Sequence, residues 1–240
     1  MDIGFVGVLR SQKPAHRPDL LTRAEVKLVL DAVPDGVNKL IFGLLYGAGL
    51  RLIECLRLRV GDVDFAHRQI TVRDEKGKPD HLTLLPVSLI GPLQNRLRYA
   101  RMLHQQDLAA GYGDVYLPPA VQEEYPDITE RASLARQWRR QYIFPAAHLS
   151  TDPRSGLTRR HRVDESVPQK ALRQAALSTG IPKRVNCRAL RDAFAAHLLE
   201  SGYGRPHHPG APRPQRRGDH DGTLHPRPQP PRPGYPQPAG

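Results

Sequence analysis

Cysteine is nearly absent from this chain. Cys55 and Cys187 are the only two in 240 residues, both within apolar helical patterns and with no C-x-x-C or Cys/His spacing. That excludes a disulfide framework and a zinc site, and it suits a reducing cytoplasm. Long apolar runs are missing too. No stretch approaches the roughly 18–20 residues that span a bilayer, and the opening MDIGFVGVLRSQKP lacks the apolar core of a secretion signal. The expectation is a soluble, cytoplasmic protein with no membrane partner. Negative charge is the third shortage: 24 Asp and Glu stand against 36 Lys and Arg, a formal net charge of +12. Such an excess suggests a polyanionic partner, most simply nucleic acid, although the same surplus also serves mere solubility.

What is present is organised around residues 44–65, LLYGAGLRLIECLRLRVGDVDF. The stretch reads as a helix ending at Gly47 and Gly49, a new helix launched by Arg51, and an exit through Asp62 into an extended segment. Leu52, Leu56 and Leu58, with Ile53 and Cys55, can face a core. Arg51 at the break is free to turn its guanidinium away from it. A planar fork of donors at a helix start suits a phosphodiester better than a lysine point charge. Glu54, three residues on, is placed to orient that fork. On spacing alone, Arg51 reads first as a surface arginine beside an ordinary helix–turn–helix.

The flanking patterns are regular. Residues 20–33, LLTRAEVKLVLDAV, predict a helix with Thr22 and Glu25 as a capping box and Leu21, Val26, Val29, Leu30 and Val33 as its apolar stripe. Residues 39–46 predict a buried helix. Ile70 and Val72, then Leu82 and Leu84, alternate with polar residues around a Lys-Gly-Lys-Pro turn, which predicts a hairpin. Residues 142–144 predict a third strand. A long helix is expected over 88–110, with Leu93, Leu97, Ala100, Leu103 and Leu108 on one side, followed by an irregular segment over 112–140. Residues 167–179 predict a helix capped by Gly180. In NCRALRDAFAAHLLESGY, Cys187, Leu190, Phe194 and Leu198 recur at helical spacing, and Gly202 closes the helix.

Together these stretches resemble the tyrosine recombinases, the phage integrase family. The first signature box of that family has the form G-x-G-[hydrophobic]-R-x-x-E-x-L-x-L and closes with D-[hydrophobic]-D. Gly47, Gly49, Arg51, Glu54, Leu56, Leu58, Asp62 and Asp64 match it, while Ile53 stands where the family has serine. A G-K-G motif at the hairpin turn carries a family lysine, matched by Lys76 before Gly77, with Lys78 as its neighbour. In the second box, H-x-x-R, Arg191 matches the arginine. Arg188 occupies the histidine position and Asp192 that of the following family histidine; His197 is expected to pack within the helix. An arginine can hold phosphate but does not shuttle a proton.

The resemblance implies an α+β fold, a mainly helical catalytic domain with a small three-stranded antiparallel sheet over residues 20–203, preceded by a linker remnant, 1–19. It also implies DNA recombination and integration. A tyrosine attacks a phosphodiester, two arginines (Arg51, Arg191) stabilise the charge, Lys76 protonates the departing oxygen, and no metal or cofactor takes part. Residues 112–140 resemble the insertion peculiar to integron integrases, which implies holding extrahelical bases of folded single-stranded sites. Tyr125, Trp138, Arg136, Arg139 and Arg140 are the candidates, since a splayed base requires stacking and phosphate charge. Trp138 serves equally as an anchor of the insertion to the core. Arg154, Arg159, Arg160 and Arg162 form a positive edge, either DNA-facing or merely solvating.

From Gly204 the pattern stops. Residues 204–240 are about a third proline and almost free of large apolar side chains, so the expectation is a disordered Pro/Arg-rich tail. Its six arginines and two aspartates leave +8 for the rest of the chain. The family's two further helices, with their G-H and nucleophilic tyrosine, are not found. Tyr203 comes too soon after Arg191 and Tyr235 lies in the tail, so neither is assigned. Codons can be chosen for residues 204–222 (GGA CGT CCG CAC CAT CCA GGA GCT…) that, read one base later, give D-V-R-T-I-Q-E-L-L-G-H-S-D-V-A-T-T-M. That is what the family places after S-G-Y, so a frameshift after Tyr203 is expected. The expectation is therefore a truncated, catalytically inactive recombinase, or a non-catalytic remnant that occupies recombination sites. Oligomerisation is not expected, because family assembly relies on exchange of a C-terminal helix.

Overall fold

Thr22 starts the first helix as its sequence predicts. Its hydroxyl accepts from the Glu25 amide at 3.2 Å, and the Glu25 carboxylate accepts from the Thr22 amide at 2.7 Å. Two free donors at the start of α1 (Arg23–Ala32) are thereby satisfied. The computed structural model describes residues 20–73, 79–153 and 155–202. The predicted linker 1–19, Lys76 and Lys78, Arg154, Tyr203 and the tail with Tyr235 lie outside the described residues.

α2 (Val37–Gly47) is the central helix, burying Leu40, Ile41, Phe42, Leu44 and Leu45. After α3 (Leu52–Arg57) a 3-10 turn, Val60–Asp62, leads into a sheet of β1 (Val63–Asp64), β2 (Gln69–Val72) and β3 (His81–Leu84). The order is β1-β2-β3, antiparallel, with Val63 opposite Ile70 and Ile70 opposite Thr83. α4 (Val87–Ala109), α5 (Pro119–Glu124) and α6 (Ile128–Arg136) follow, then a 3-10 turn, Trp138–Arg140. A two-stranded ladder of β4 (Ser150–Thr151) and β5 (Thr158–Arg159) precedes α7 (Ser166–Thr179) and α8 (Cys187–Glu200). α2 packs on α8 and α1 on α7. Their shared core holds Phe42, Leu56, Ile70, Leu93, Phe144, Leu172 and Leu190; burying each such side chain contributes about 1.5–3 kcal/mol. The domain is thus mainly helical with a small three-stranded antiparallel sheet. Among the described residues no helix is long and apolar enough to cross a membrane.

The predicted antiparallel pairing of residues 70–72 with 82–84 forms, its buried face being a detail the alternation left open, and three expectations need correction. The third strand is β1, not residues 142–144. Tyr142 makes one bridge to Arg59 and Pro145 one to Arg162. Pairing ends there because the chain coils into the turn Val60–Asp62 on one side, while Pro145 has no N–H to extend the ladder on the other. In β3 the inward residue is Thr83, whose hydroxyl donates to the Ala48 carbonyl at 2.8 Å, and Leu82 and Leu84 are exposed. The segment 112–140 is partly helical: Pro119 begins α5, and Asp127 caps α6 by accepting from the Thr129 and Glu130 amides. Leu108 lies in the last turn of α4 and is also exposed.

Candidate functional site

Gly49 determines how the site is assembled. It lies within the α2–α3 connection in the left-handed region, φ +68°, where glycine carries no Cβ penalty. A Cβ there would stand 2.5 Å from Cε1 of Phe194 on α8. That close approach lets the Gly49 carbonyl accept from Arg191 Nε at 2.9 Å, one turn before Phe194 on the same helix. Asn186 fixes the start of α8 by accepting from the Ala189 amide at 2.8 Å.

Arg51 caps α3. Its amide donates to Glu54 Oε2 at 2.7 Å, and its guanidinium NH1 pairs with Glu54 Oε1, which is the orienting role expected of Glu54. Arg51, Arg188 and Arg191 line one open cleft of about 660 Å³, together with Glu165, Gln169 and Cys187. The three arginines differ in how they are held. Arg51 is paired with Glu54, and Arg188, almost fully exposed, lies 3.4 Å from Asp192. Arg191 is half-buried with only the neutral Gly49 carbonyl as its hydrogen-bond partner among the described residues. Burial, and then the neighbouring Arg51 charge, pull its pKa below the usual arginine value. Cys187 stays a neutral thiol, burial pushing its pKa up to about 11. The cleft can therefore accept an anion at Arg191 without displacing an internal carboxylate.

The remaining candidates are dispersed. Arg160 is spent internally: Nε and NH2 donate to the Asp107 carboxylate at 2.5 and 2.7 Å, NH1 to the Ala146 and Ala147 carbonyls at 2.8 Å. That pairing raises its pKa. Arg159 is half-buried, and its Nε has no hydrogen-bond partner. Trp138 stacks on His104 with centroids 6.0 Å apart, and Arg101 lies 5.6 Å from the indole centroid, an arrangement that anchors the insertion to α4. Arg139 is exposed, and the Arg140 carbonyl accepts from Arg59 NH1 at 2.6 Å. His197 is buried with Nδ1 2.9 Å from the Tyr46 hydroxyl, as expected of a packing residue. Two features escaped the sequence reading. Glu165 and Gln169 reach the cleft from the start of α7, and no motif marks either of them. Arg59, buried beneath Tyr142 at 4.7 Å, ties the first box to the insertion; its only sequence signal is Asp62, whose carboxylate accepts from the Arg59 amide at 2.8 Å.

Compared with known proteins, residues 19–206 match the phage integrase family. The chain is 38% identical over 203 residues to an integrase/recombinase of Escherichia coli, which covers 84% of this chain and 58% of that protein. It thus spans less than two thirds of that relative's length. Among solved structures it is similar to the XerA recombinase, with TM-score 0.50 and 23% identity, covering 80% of this chain and 54% of that one. It is also similar to the Tn1549 transposon integrase in complex with a circular intermediate DNA, with TM-score 0.51 and 15% identity, covering 80% and 57%. At those identities the likeness speaks for the fold.

Proposed function

The chain belongs to the phage integrase family, and from that premise we propose that it is the catalytic-domain part of a site-specific DNA tyrosine recombinase whose basic cleft grips a DNA phosphodiester. The observation that carries this reading is the convergence of Arg51 and Arg191, distant in sequence, on one cleft where Arg191 lacks a carboxylate partner. Two guanidinium forks on one phosphate would stabilise the charge that develops on its oxygens when a tyrosine attacks. Lys76 would protonate the departing deoxyribose oxygen, and Arg188 would hold phosphate without moving a proton. The reaction needs DNA as partner and belongs in the cytoplasm.

The sequence offers no tyrosine in the nucleophile position, so on this reading the chain as given occupies recombination sites without cutting them. The frameshift after Tyr203 would account for that loss, and sequencing the locus tests it: a second frame without the continuation would exclude it. We further assign the insertion to the integron type. Its basic foot, Arg139 and Arg140, would meet DNA beside Arg136, whose Nε is paired with Asp114 at 2.7 Å, and Trp138 would hold that foot in place. The measurement that tests the main reading is trapping on a nicked suicide substrate, scored for both binding and covalent attachment. Binding without an adduct is expected. A covalent adduct would mean a remaining tyrosine acts as nucleophile, and no binding at low salt would remove DNA as the partner.

A further inference from the structure

Two surfaces complement each other, and Tyr125 is the only residue in either that the DNA reading had named. The first is the tip of the insertion, residues 118–130, PPAVQEEYPDITE. It carries Glu123, Glu124, Asp127 and Glu130 and not one Lys or Arg, in a chain of formal net charge +12. α5 buries no residue, α6 buries only Ala135, and Ile128 is 75% exposed. Asp127 caps α6, while Glu123, Glu124 and Glu130 stand exposed. DNA phosphates would repel such a tip, and water gains nothing from its exposed isoleucine.

The second surface is an open groove of about 550 Å³ between the end of α1, the start of α2 and α7. Val33, Val37, Ala171 and Ala175 give it an apolar lining. Asn38 contributes a buried Oδ1 with no hydrogen-bond partner, an acceptor left waiting for a donor. Lys170 and Arg173, both exposed, flank the groove on α7, and Leu177 beside it is 74% exposed. Asp35, in the lining itself, is paired with Lys39, and nearby Asp31 with Lys27. The unspent charge at this rim is therefore positive.

We propose that the insertion tip of one copy seats in this groove of a second copy of the chain. Ile128 and Tyr125 would cover the apolar lining, the three free glutamates would face Lys170 and Arg173, and a tip N–H would meet Asn38 Oδ1. The occupant is a second copy because this chain itself carries both complements, an acidic apolar tip and a basic apolar groove. Tip and groove are different surfaces, so the contact is heterologous: each copy donates one and accepts one, and copies join head to tail. It requires neither DNA nor a C-terminal helix.

The test is sedimentation velocity on the full chain without DNA, so failure here leaves the DNA reading untouched. Concentration-dependent association that weakens with added salt is expected. Reversing the tip (Glu123→Lys, Glu124→Lys, Glu130→Lys) should weaken it about tenfold or more, because like charges then oppose each other across the contact. Reversing the groove (Lys170→Glu, Arg173→Glu) should do the same. Mixing the two variants should restore association, since each variant's tip then meets the other's matching groove, a rescue that damaged folding cannot imitate. A chain that stays monomeric at every concentration overturns the proposal, as does unchanged association of the tip variant or a mixture that fails to associate.

Discussion

Replacing Gly49 with alanine attacks the one backbone position on which the site's assembly depends. The φ of +68° places a residue with a Cβ in the left-handed region, at about 1–2 kcal/mol. The new Cβ would stand 2.5 Å from Cε1 and 2.6 Å from Cδ1 of Phe194, an overpacking that adds about 1–3 kcal/mol unless the ring moves. Moving the backbone instead would weaken the 2.9 Å bond to Arg191 Nε, and a hydrogen bond to a charged group contributes about 1.5–3 kcal/mol. Phe194 is only half-buried, so the ring can yield part of the way. The expected loss is therefore roughly 2–5 kcal/mol, with the backbone strain as its floor. Urea unfolding followed by circular dichroism measures it, alone and combined with Phe194→Leu. If the ring contact is the cause, the double-mutant cycle shows a favourable coupling of about 1 kcal/mol or more. A Gly49→Ala chain within about 0.5 kcal/mol of the parent, or strictly additive variants, would refute the reasoning.

Asp107→Asn should destabilise the domain by about 3 kcal/mol, because it leaves the Arg160 guanidinium buried without its counter-charge; a loss below about 1 kcal/mol in urea unfolding would contradict that. Burial holds the His104 imidazole below its ordinary pKa, although a hydrogen bond to the Arg136 backbone and then the Asp107 charge oppose the shift. The unfolded chain therefore protonates first, and stability present above about pH 6.5 falls as the pH drops below it. Trp138, the only tryptophan in the chain, stacks on that ring and should report its protonation as a change in fluorescence; a midpoint at or above about 6.5 would refute the assignment. Arg191→Ala should lower DNA affinity and reduce the slope of log K against log salt by roughly 0.9 on duplex DNA. Arg160→Ala should weaken the fold but leave that slope unchanged, and filter binding across a salt series separates the two.

The sequence made local structure legible because local rules determine it. Thr22 and Glu25 cap α1 in reciprocal fashion, Gly180 ends α7 at φ +66°, and Glu54 orients Arg51, all within four residues of their partners. Periodicity was less complete. The alternation of Leu82 and Leu84 shows that they share a face but not which face is buried. That choice went to Thr83, whose partner Ala48 lies in a different element.

The same limit explains why the arginines outside a motif could not be sorted in advance. The second box singled out Arg191, but nothing local told whether Arg160 faces DNA or serves the fold. What separates them is what the fold places opposite: the Asp107 carboxylate for one, the Gly49 carbonyl for the other. A carboxylate neutralises the guanidinium and commits it to structure, whereas a carbonyl orients it without forming an ion pair, leaving it only the more distant Glu54 and Asp192 carboxylates. The insertion divides on the same principle. Its foot carries Arg139 and Arg140, beside Arg136 whose Nε pairs with Asp114 at 2.7 Å, and its tip carries four carboxylates and no base. One segment therefore presents two surfaces of opposite sign, and only the basic one suits a phosphate backbone.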